Sequence, residues 1–340
     1  MNKKIITFGE IMMRLTPPSY QRIIQANKFN IIYGGGEANV AVSLANYGLD
    51  VSFVTKLPDN PMGQAAFNEL RKFGVKTNYI VSGGKRLGIY FCEKGASQRP
   101  SNVIYDRSHS SISEAESDDF DWDEIFSGVD WFHFTGITPA LSENMAHITK
   151  EAVKVAKGKN IKVSCDLNYR AKLWSQDRAN EVMTNLMDYV DIVIANEEDA
   201  EKVFGIKSGS DITSGELDIE GYKNVAQQLI DRYDLELVGS HLRESHSASN
   251  NGWIVVLYNS VDFVKSTKYN IHIVDRVGGG DSFAAGLIYS QLKDKSLQDS
   301  AEFSAAASCL KQSIPGDFNH VDINEVETLA KGNASGRVKR

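Results

Sequence analysis

The sequence predicts an α/β protein with a parallel central sheet, helices on both of its faces, and a small separate β sheet. Three observations carry that prediction. Short apolar or β-branched runs alternate with amphipathic helical runs, the pattern of a parallel sheet with helices packed on it. Glycine and proline stand at the ends of the helical runs. Two stretches, 12–33 and 87–108, instead alternate β-type with polar residues and show no helical period.

Strands are expected at 5–8, 51–54, 131–134, 161–165, 191–195 and 253–257. These are short, mainly apolar or β-branched runs, as expected for strands covered on both faces. Helix 37–47 carries Val40, Ala41, Leu44 and Ala45 on one side and stops at Gly48; helix 61–73 opens with Pro61 and closes at Gly74. Because 12–33 and 87–108 both leave and re-enter the N-terminal half of the α/β layer, they are expected to form one discontinuous lid on a single domain spanning 1–330. The acidic run 113–124 reads as a solvated linker and helix start, 208–217 as a polar loop, and 331–340 as a small, basic, flexible tail.

Composition narrows the partners. With 42% hydrophobic and 24% charged residues, 27 Gly and 7 Pro, the 340-residue chain is ordinary globular protein. Lys plus Arg (37) against Asp plus Glu (44) gives a net charge of −7, which disfavours a nucleic-acid backbone or an anionic membrane as partner. Cys92, Cys165 and Cys309 are odd in number and far apart, which points to no disulfide framework and to the reducing cytoplasm. Glu10 interrupts the first apolar run too early for a signal-peptide core or membrane span, and no later stretch reaches membrane length.

The strongest local signal is Asp275-Arg276-Val277-Gly278-Gly279-Gly280-Asp281, which opens a helical run. Gly278, Gly279 and Gly280 let backbone N–H groups converge on an anion at a helix N-terminus, where the dipole adds positive potential. Asp281, in the first turn, stands beside that anion and can accept a proton from an attacking hydroxyl, a pairing suited to phosphoryl transfer. The plainer reading is a glycine-rich turn with Asp281 as a helix cap. A second segment, Gly34-Gly35-Gly36-Glu37-Ala38-Asn39, also opens a helix and offers an acid and an amide to a polyhydroxylated ligand; alone it reads equally well as a lid hinge. Neither has the Gly-Lys-Ser/Thr of a Walker A loop, and neither fits G-x-G-x-x-G.

Together the two segments resemble the two signatures of the ribokinase-like (PfkB) carbohydrate kinase family, at the matching ends of the chain. The resemblance extends over essentially the whole length and implies a Rossmann-like ribokinase fold with a β lid. It also implies ATP and Mg²⁺ as cofactors, Gly278 to Gly280 as anion hole and Asp281 as catalytic base. Arg276 departs from the small residue or Pro usual in the signature. Asn196-Glu197-Glu198-Asp199 resembles the family's N-x-x-E element, which orders Mg²⁺ through water, with Asp199 in place of the usual Glu; otherwise it is a capped helix start. The nucleotide stretch, 239–245 followed by 250–253, lacks the family's glycine spacing, so Ser240 and Arg243 are placed near nucleotide, together with Asn168, Arg170 and Asn196. His241 and His246 lack a third nearby ligand and are read as loop residues. A monovalent cation is a further possible cofactor.

The substrate question can be argued from charge. An acid sugar needs a cation that grips a carboxylate, for which the planar arginine fork is suited. Arg107, beside Tyr105 in the expected lid, and Arg170, after the strand at 161, are placed for it. With Tyr90 and Asp317 the pattern resembles the 2-keto-3-deoxygluconate kinases of the family. By that resemblance Arg107 and Arg170 contact the acid, Tyr90 and Tyr105 wall the pocket and Asp317 bonds a hydroxyl. The expected reaction is ATP-dependent phosphorylation of the C6 hydroxyl. Arg170 also fits fructokinases, Tyr90 and Tyr105 also fit lid packing, and Trp174 is expected to pack. Fructokinase, ribokinase and non-catalytic sugar-binding regulator are the alternatives, and a dimer through the lid edges is the expected assembly.

Overall fold

The structure, a computed structural model, describes residues 3–207 and 219–333; the expected loop 208–217 and the tail residues 334–340 lie outside the described residues. In chain order the first half comprises β1 (Lys4–Phe8), β2 (Met12–Thr16), β3 (Asn30–Gly34), α1 (Gly36–Asn46), β4 (Asp50–Leu57), α2 (Pro61–Lys72), β5 (Ile80–Ser82), β6 (Ile89–Glu93) and β7 (Asn102–Asp106). Then follow α3 (Trp122–Ile125), β8 (Trp131–Thr135), α4 (Ile137–Ala140), α5 (Glu143–Gly158), β9 (Lys162–Asp166), α6 (Gln176–Met187), β10 (Ile192–Ile194) and α7 (Glu197–Phe204). The last part holds α8 (Ile219–Tyr233), β11 (Leu237–Ser245), β12 (Asn250–Tyr258), β13 (Phe263–Lys265), β14 (Tyr269–His272), α9 (Gly279–Leu292), α10 (Leu297–Gln312) and α11 (Ile323–Ala330).

Among the described residues the main sheet runs β13-β12-β11-β10-β9-β8-β1-β4-β5, with β14 also paired to β12. Pairing is parallel from β11 to β5 and antiparallel at the β12 end. Successive side chains feed cores on opposite faces: Ile5 and Trp131 join the core under α1, α9 and α10, while Ile6, Phe132 and Phe134 join the one under α5, α6 and α8. No helix among the described residues is long and apolar enough to cross a membrane.

A second sheet has the order β3-β2-β6-β7. Its strands come from the two stretches without helical period. Row by row, Ile32, Arg14, Tyr90 and Tyr105 stand abreast, and the next row reads Ile31, Leu15, Phe91, Ile104. The alternation of strands sends these rows to opposite faces. The first row faces the body; in the second, Ile31 and Ile104 are 60% and 47% exposed.

The fold class is therefore the expected one, with one correction at the sheet's far end. The run 253–257 is not a parallel strand but the middle of β12, antiparallel to β11, and the expected nucleotide stretch 239–245 lies within β11 itself. The short connection between β11 and β12 permits only a hairpin. Arg243, Glu244 and Ser245 lie in the outer part of β11, where the strand is no longer buried.

Candidate active site

The C-terminal ends of β9 and β10 and the inner face of the small sheet bound a cavity of about 950 Å³. That edge of a parallel sheet collects ligands because loops and helix N-termini converge there. Helices α1 and α9 both begin at it.

At the start of α9, Gly278 adopts a left-handed conformation (φ +84°), and a Cβ there would lie 2.0 Å from the Asp317 carbonyl oxygen. Only glycine meets both demands. Gly278, Gly280 and Asp281 line the cavity. Gly279 does not; it is buried against Gln312 and its N–H already donates to the Arg276 carbonyl (3.3 Å). The Asp281 carboxylate accepts a hydrogen bond from Asn39 Nδ2 (2.6 Å), and burial pushes its pKa up to about 6 against that bond. Asn39 sits in the first turn of α1, where its Oδ1 accepts from the Gly35 N–H (3.3 Å), so one amide joins the two glycine segments.

The first glycine segment divides. Gly35, Gly36 and Asn39 line the cavity, whereas Gly34, Glu37 and Ala38 do not. Gly34 is backed by Asp317, whose Oδ2 lies 2.3 Å from the place of a Cβ. Glu37, expected to meet sugar hydroxyls, instead points at β8. Its Oε1 accepts from Thr135 N (3.0 Å), Thr135 Oγ1 (2.8 Å) and Thr138 Oγ1 (2.5 Å), and burial raises its pKa to about 7. The helical turn forces this split: positions 36 and 39 share a side that 37 and 38 do not.

On the lid side, Tyr105 borders the cavity with its ring 5.8 Å from that of Tyr90. Tyr90 is buried and its hydroxyl donates to the Asp317 carboxylate. Arg14, fully buried in β2, also grips Asp317 (2.8 Å) and binds Asp275 through both terminal nitrogens (3.3 and 2.8 Å). Asp317 is raised by burial, with Arg14 pulling the other way. Arg107 lies at the cavity, 8% exposed, with its Nη2 donating to Glu10 and its Nε buried without a partner. Its guanidinium stands 5.4 Å from the Tyr105 ring centre. Glu10 thus pairs with one end of the guanidinium, while the Nε–H is left without a partner in the chain.

Beyond β9 and β10, Asn168, Arg170, Asn196 and Asp199 line the same cavity. Asn196 caps α7, its side chain accepting from the Asp199 N–H (2.7 Å), and Asp199 accepts from the Tyr169 N–H (3.1 Å). Burial raises Asp199 to about 6 while Arg170 lowers it. Asp166, at the end of β9, is raised well above the carboxylate range by burial and by Asp199 and Asp281. Among the described residues no three His, Cys, Asp or Glu side chains converge to hold a metal alone. Two crowded, buried carboxylates fit an ion that takes its remaining ligands from phosphates and water.

The nucleotide residues are corrected in part. Ser240 is buried in β11, donates to the Ala195 carbonyl and does not line the cavity. Arg243 does, and next to it Arg276, whose pKa burial and Arg243 both lower and whose Nε has no partner. His241 is no loop residue: it lies on β11, stacked on Trp253 with ring centres 4.7 Å apart, and burial lowers its pKa to about 4. Trp174 packs against the core.

Sequence reasoning missed Asp166, Glu10 and Arg14. Asp166 was findable as an acid closing an apolar strand, and Arg14 as a cation in strand alternation on a buried row. Glu10 carried no local signal.

Comparison with known proteins adds an independent view. The model of a family described as pfkB family carbohydrate kinase matches residues 2–319. The crystal structure of 2-dehydro-3-deoxygluconokinase from Thermotoga maritima superposes with a TM-score of 0.94 at 55% identity, covering 97% of this chain and 100% of that one. A 2-dehydro-3-deoxygalactonokinase of Haloferax volcanii is 32% identical over 99% of both chains, and a 2-dehydro-3-deoxygluconokinase of Bacillus subtilis 27% identical over 96% of this chain and 94% of its own.

Proposed function

The chain belongs to the pfkB family of carbohydrate kinases, and on that premise we propose that it transfers the γ-phosphoryl group of ATP to the C6 hydroxyl of 2-keto-3-deoxygluconate, also called 2-dehydro-3-deoxygluconate. The observation that carries this reading is the pairing, within one cavity, of a glycine cradle at a helix N-terminus with a buried arginine that keeps an unused donor. One end suits phosphate and the other a carboxylate. The names of the Thermotoga maritima and Bacillus subtilis relatives support the gluconate substrate.

In the proposed mechanism Asn39 holds the Asp281 carboxylate. As the C6 oxygen bonds to the γ-phosphorus, its proton passes to Asp281; the bond from that phosphorus to the bridging oxygen breaks and ADP leaves. The N–H groups at Gly278 and Gly280, with Arg243 and Arg276, face the phosphates. Mg²⁺, when bound, neutralises phosphate charge, and Asp166 and Asp199 are the residues that would hold it. Arg170 serves beside these carboxylates, since it lowers the pKa of Asp166, Asp199 and Asp281. Arg107 then carries the substrate acid, Tyr105 walls it, and Asp317, fixed by Tyr90 and Arg14, bonds a hydroxyl.

The reading includes a cytoplasmic setting, where ATP is present and the three free cysteines stay reduced. It also includes a dimer through the lid, supported by the exposed Ile31 and Ile104 on one row of its sheet.

An ADP-release assay with 2-keto-3-deoxygluconate, its galactonate epimer, fructose and ribose tests the substrate. Acid sugars should be turned over and neutral ones should not; comparable kcat/KM on fructose would sink the acid-sugar reading. In the same assay Arg107→Ala should raise KM for the acid sugar by about 10-fold or more, the scale of a lost charged hydrogen bond. An equal loss on a neutral sugar would remove the carboxylate argument.

A further inference from the structure

A buried ammonium sits directly beneath the glycine cradle. Lys311, in the last turn of α10, is 0% exposed. Its Nζ donates to the backbone carbonyls of Asp275 (3.2 Å), Ile314 (3.4 Å) and Gly316 (2.5 Å). An ammonium has three N–H donors and no acceptor, so all three donors are used.

The three carbonyls belong to two separate segments. Asp275 opens the loop that ends in Gly278 to Gly280, while Ile314 and Gly316 follow α10 and lead to Asp317. The lysine stem also supports the cradle, since a Cβ on Gly278 would lie 3.2 Å from Lys311 Cε. The charged groups that act on the ammonium are Asp275, Asp317 and Asp281 in its favour and Arg14 against it. Arg14 already pairs with the carboxylates of Asp275 and Asp317. The division of labour is clean: the guanidinium takes the carboxylates and the ammonium takes the carbonyls.

Backbone carbonyls that converge on one point, as in potassium filters, take the place of an ion's hydration shell. Here that point is filled by the chain's own side chain, so these residues do not fit a free potassium or ammonium ion. We infer that Lys311 is a built-in monovalent cation: its ammonium fixes the phosphate cradle against the segment that carries Asp317, and turnover therefore needs no added monovalent cation. Lys311 is a positioning residue, since it reaches the reacting atoms only through the loop it holds. The tether guarantees occupancy, and the end of α10 favours positive charge. Burial lowers the Lys311 pKa to about 8, while Asp275 and Asp317 favour its charged form.

The kinetic half of this inference rests on the phosphoryl-transfer reading; the occupancy half does not. The test compares wild type, Lys311→Ala, which leaves the three carbonyls facing an open site, and Lys311→Met, which fills the space with a neutral stem. Thermal unfolding and kinetics are followed against ammonium or potassium chloride, with tetramethylammonium chloride keeping ionic strength constant. Wild type should respond to neither ion. Lys311→Ala should lose about 10²-fold in kcat, the scale of a misaimed anion-hole donor, and regain much of it with ammonium or potassium. Its melting temperature should rise by several degrees as the site fills, while Lys311→Met should stay impaired at every concentration. If Lys311→Ala folds only with ammonium or potassium present, the refolding yield replaces the melting reading with the same expected direction.

Activation of wild type by potassium or ammonium overturns the inference. So does a Lys311→Ala variant that is indifferent to both ions in melting or refolding. Absence of kinase activity from wild type on every sugar would count against the function proposed above, and the melting comparison would still decide the occupancy.

Discussion

Asp281 is partly buried, and its ordinary carboxylate value of 3.8 rises to about 6 because burial outweighs the hydrogen bond from Asn39. The sign for catalysis follows directly. Below that pH the group carries a proton and cannot accept one from a hydroxyl, so kcat/KM should fall on the acid side with an apparent pKa near 6, since it reports the free enzyme. Asp281→Asn keeps the shape and the hydrogen-bonding capacity but removes the base. It should lower kcat by about 10³-fold, within the span usual for general-base catalysis, with nucleotide affinity by calorimetry nearly unchanged. An acid limb that stays near pH 4.5, or substantial turnover by the variant, would take the base role away from Asp281. Residue-level legibility was uneven for a physical reason. The glycine segments announce themselves because their chemistry is local to a few consecutive backbone units. Arg14 meets Asp275 across 261 positions and Asp317 across 303, and nothing near residue 14 encodes either partner. Lys311 had a faint signal: with Ser304 and Ala307 it falls at helical spacing on a stripe that turns out to be buried.

Helices α1 and α9 meet at their first turns through Asn39 and Asp281, and both pack in the same core, so the active geometry depends on how each is anchored to the sheet. Glu37 anchors α1 to the end of β8. Its pKa rises from 4.5 to about 7 on burial, so between those values the native chain holds a proton that the unfolded chain has released. The stability Glu37 contributes is present in full below pH 4.5 and is lost as pH rises through 7. Glu37→Gln keeps an acceptor for the two threonines without the ionisation. Its melting temperature relative to wild type should therefore climb between pH 5.5 and pH 8, by a few degrees for a cost on the order of 1–3 kcal/mol. A difference that does not change with pH would mean that Glu37 does not titrate in this range. The central strands were legible because burial on both faces leaves them mainly apolar. The β11–β12 hairpin was not, because its outer half faces water and its Gly, Ser, His, Arg and Glu residues mimic a loop. Glu37 was misassigned for the opposite reason: an acid in a glycine-rich segment looks like a ligand contact until the helix phase is known.

At the scale of the molecule, the small sheet is fastened to the body by ionic contacts on its inner face and presents an apolar row on the other. If that row is the contact between two subunits, light scattering on a sizing column should report a dimer for the wild-type chain. The double substitution of Ile31→Asp and Ile104→Asp should give a folded monomer, because two charges would be desolvated in each half of the contact. An unchanged elution mass would exclude the lid as the dimer surface. The division into body and small sheet was readable in the sequence from the two stretches lacking helical period; the charges that bind them were not.

Those same charges set a schedule for how the protein comes into being. A ribosome adds about 5–20 residues per second and folding begins at the N-terminus. Arg14 therefore waits on the order of tens of seconds before the 261 positions to Asp275 have been made, and longer for Asp317. Until then its guanidinium has no native partner and cannot be buried without great cost. Neither strand β2 nor the glycine cradle can settle before nearly the whole chain has emerged. A nascent or truncated product thus lacks a finished phosphate site, and the last loop made is the one that closes it.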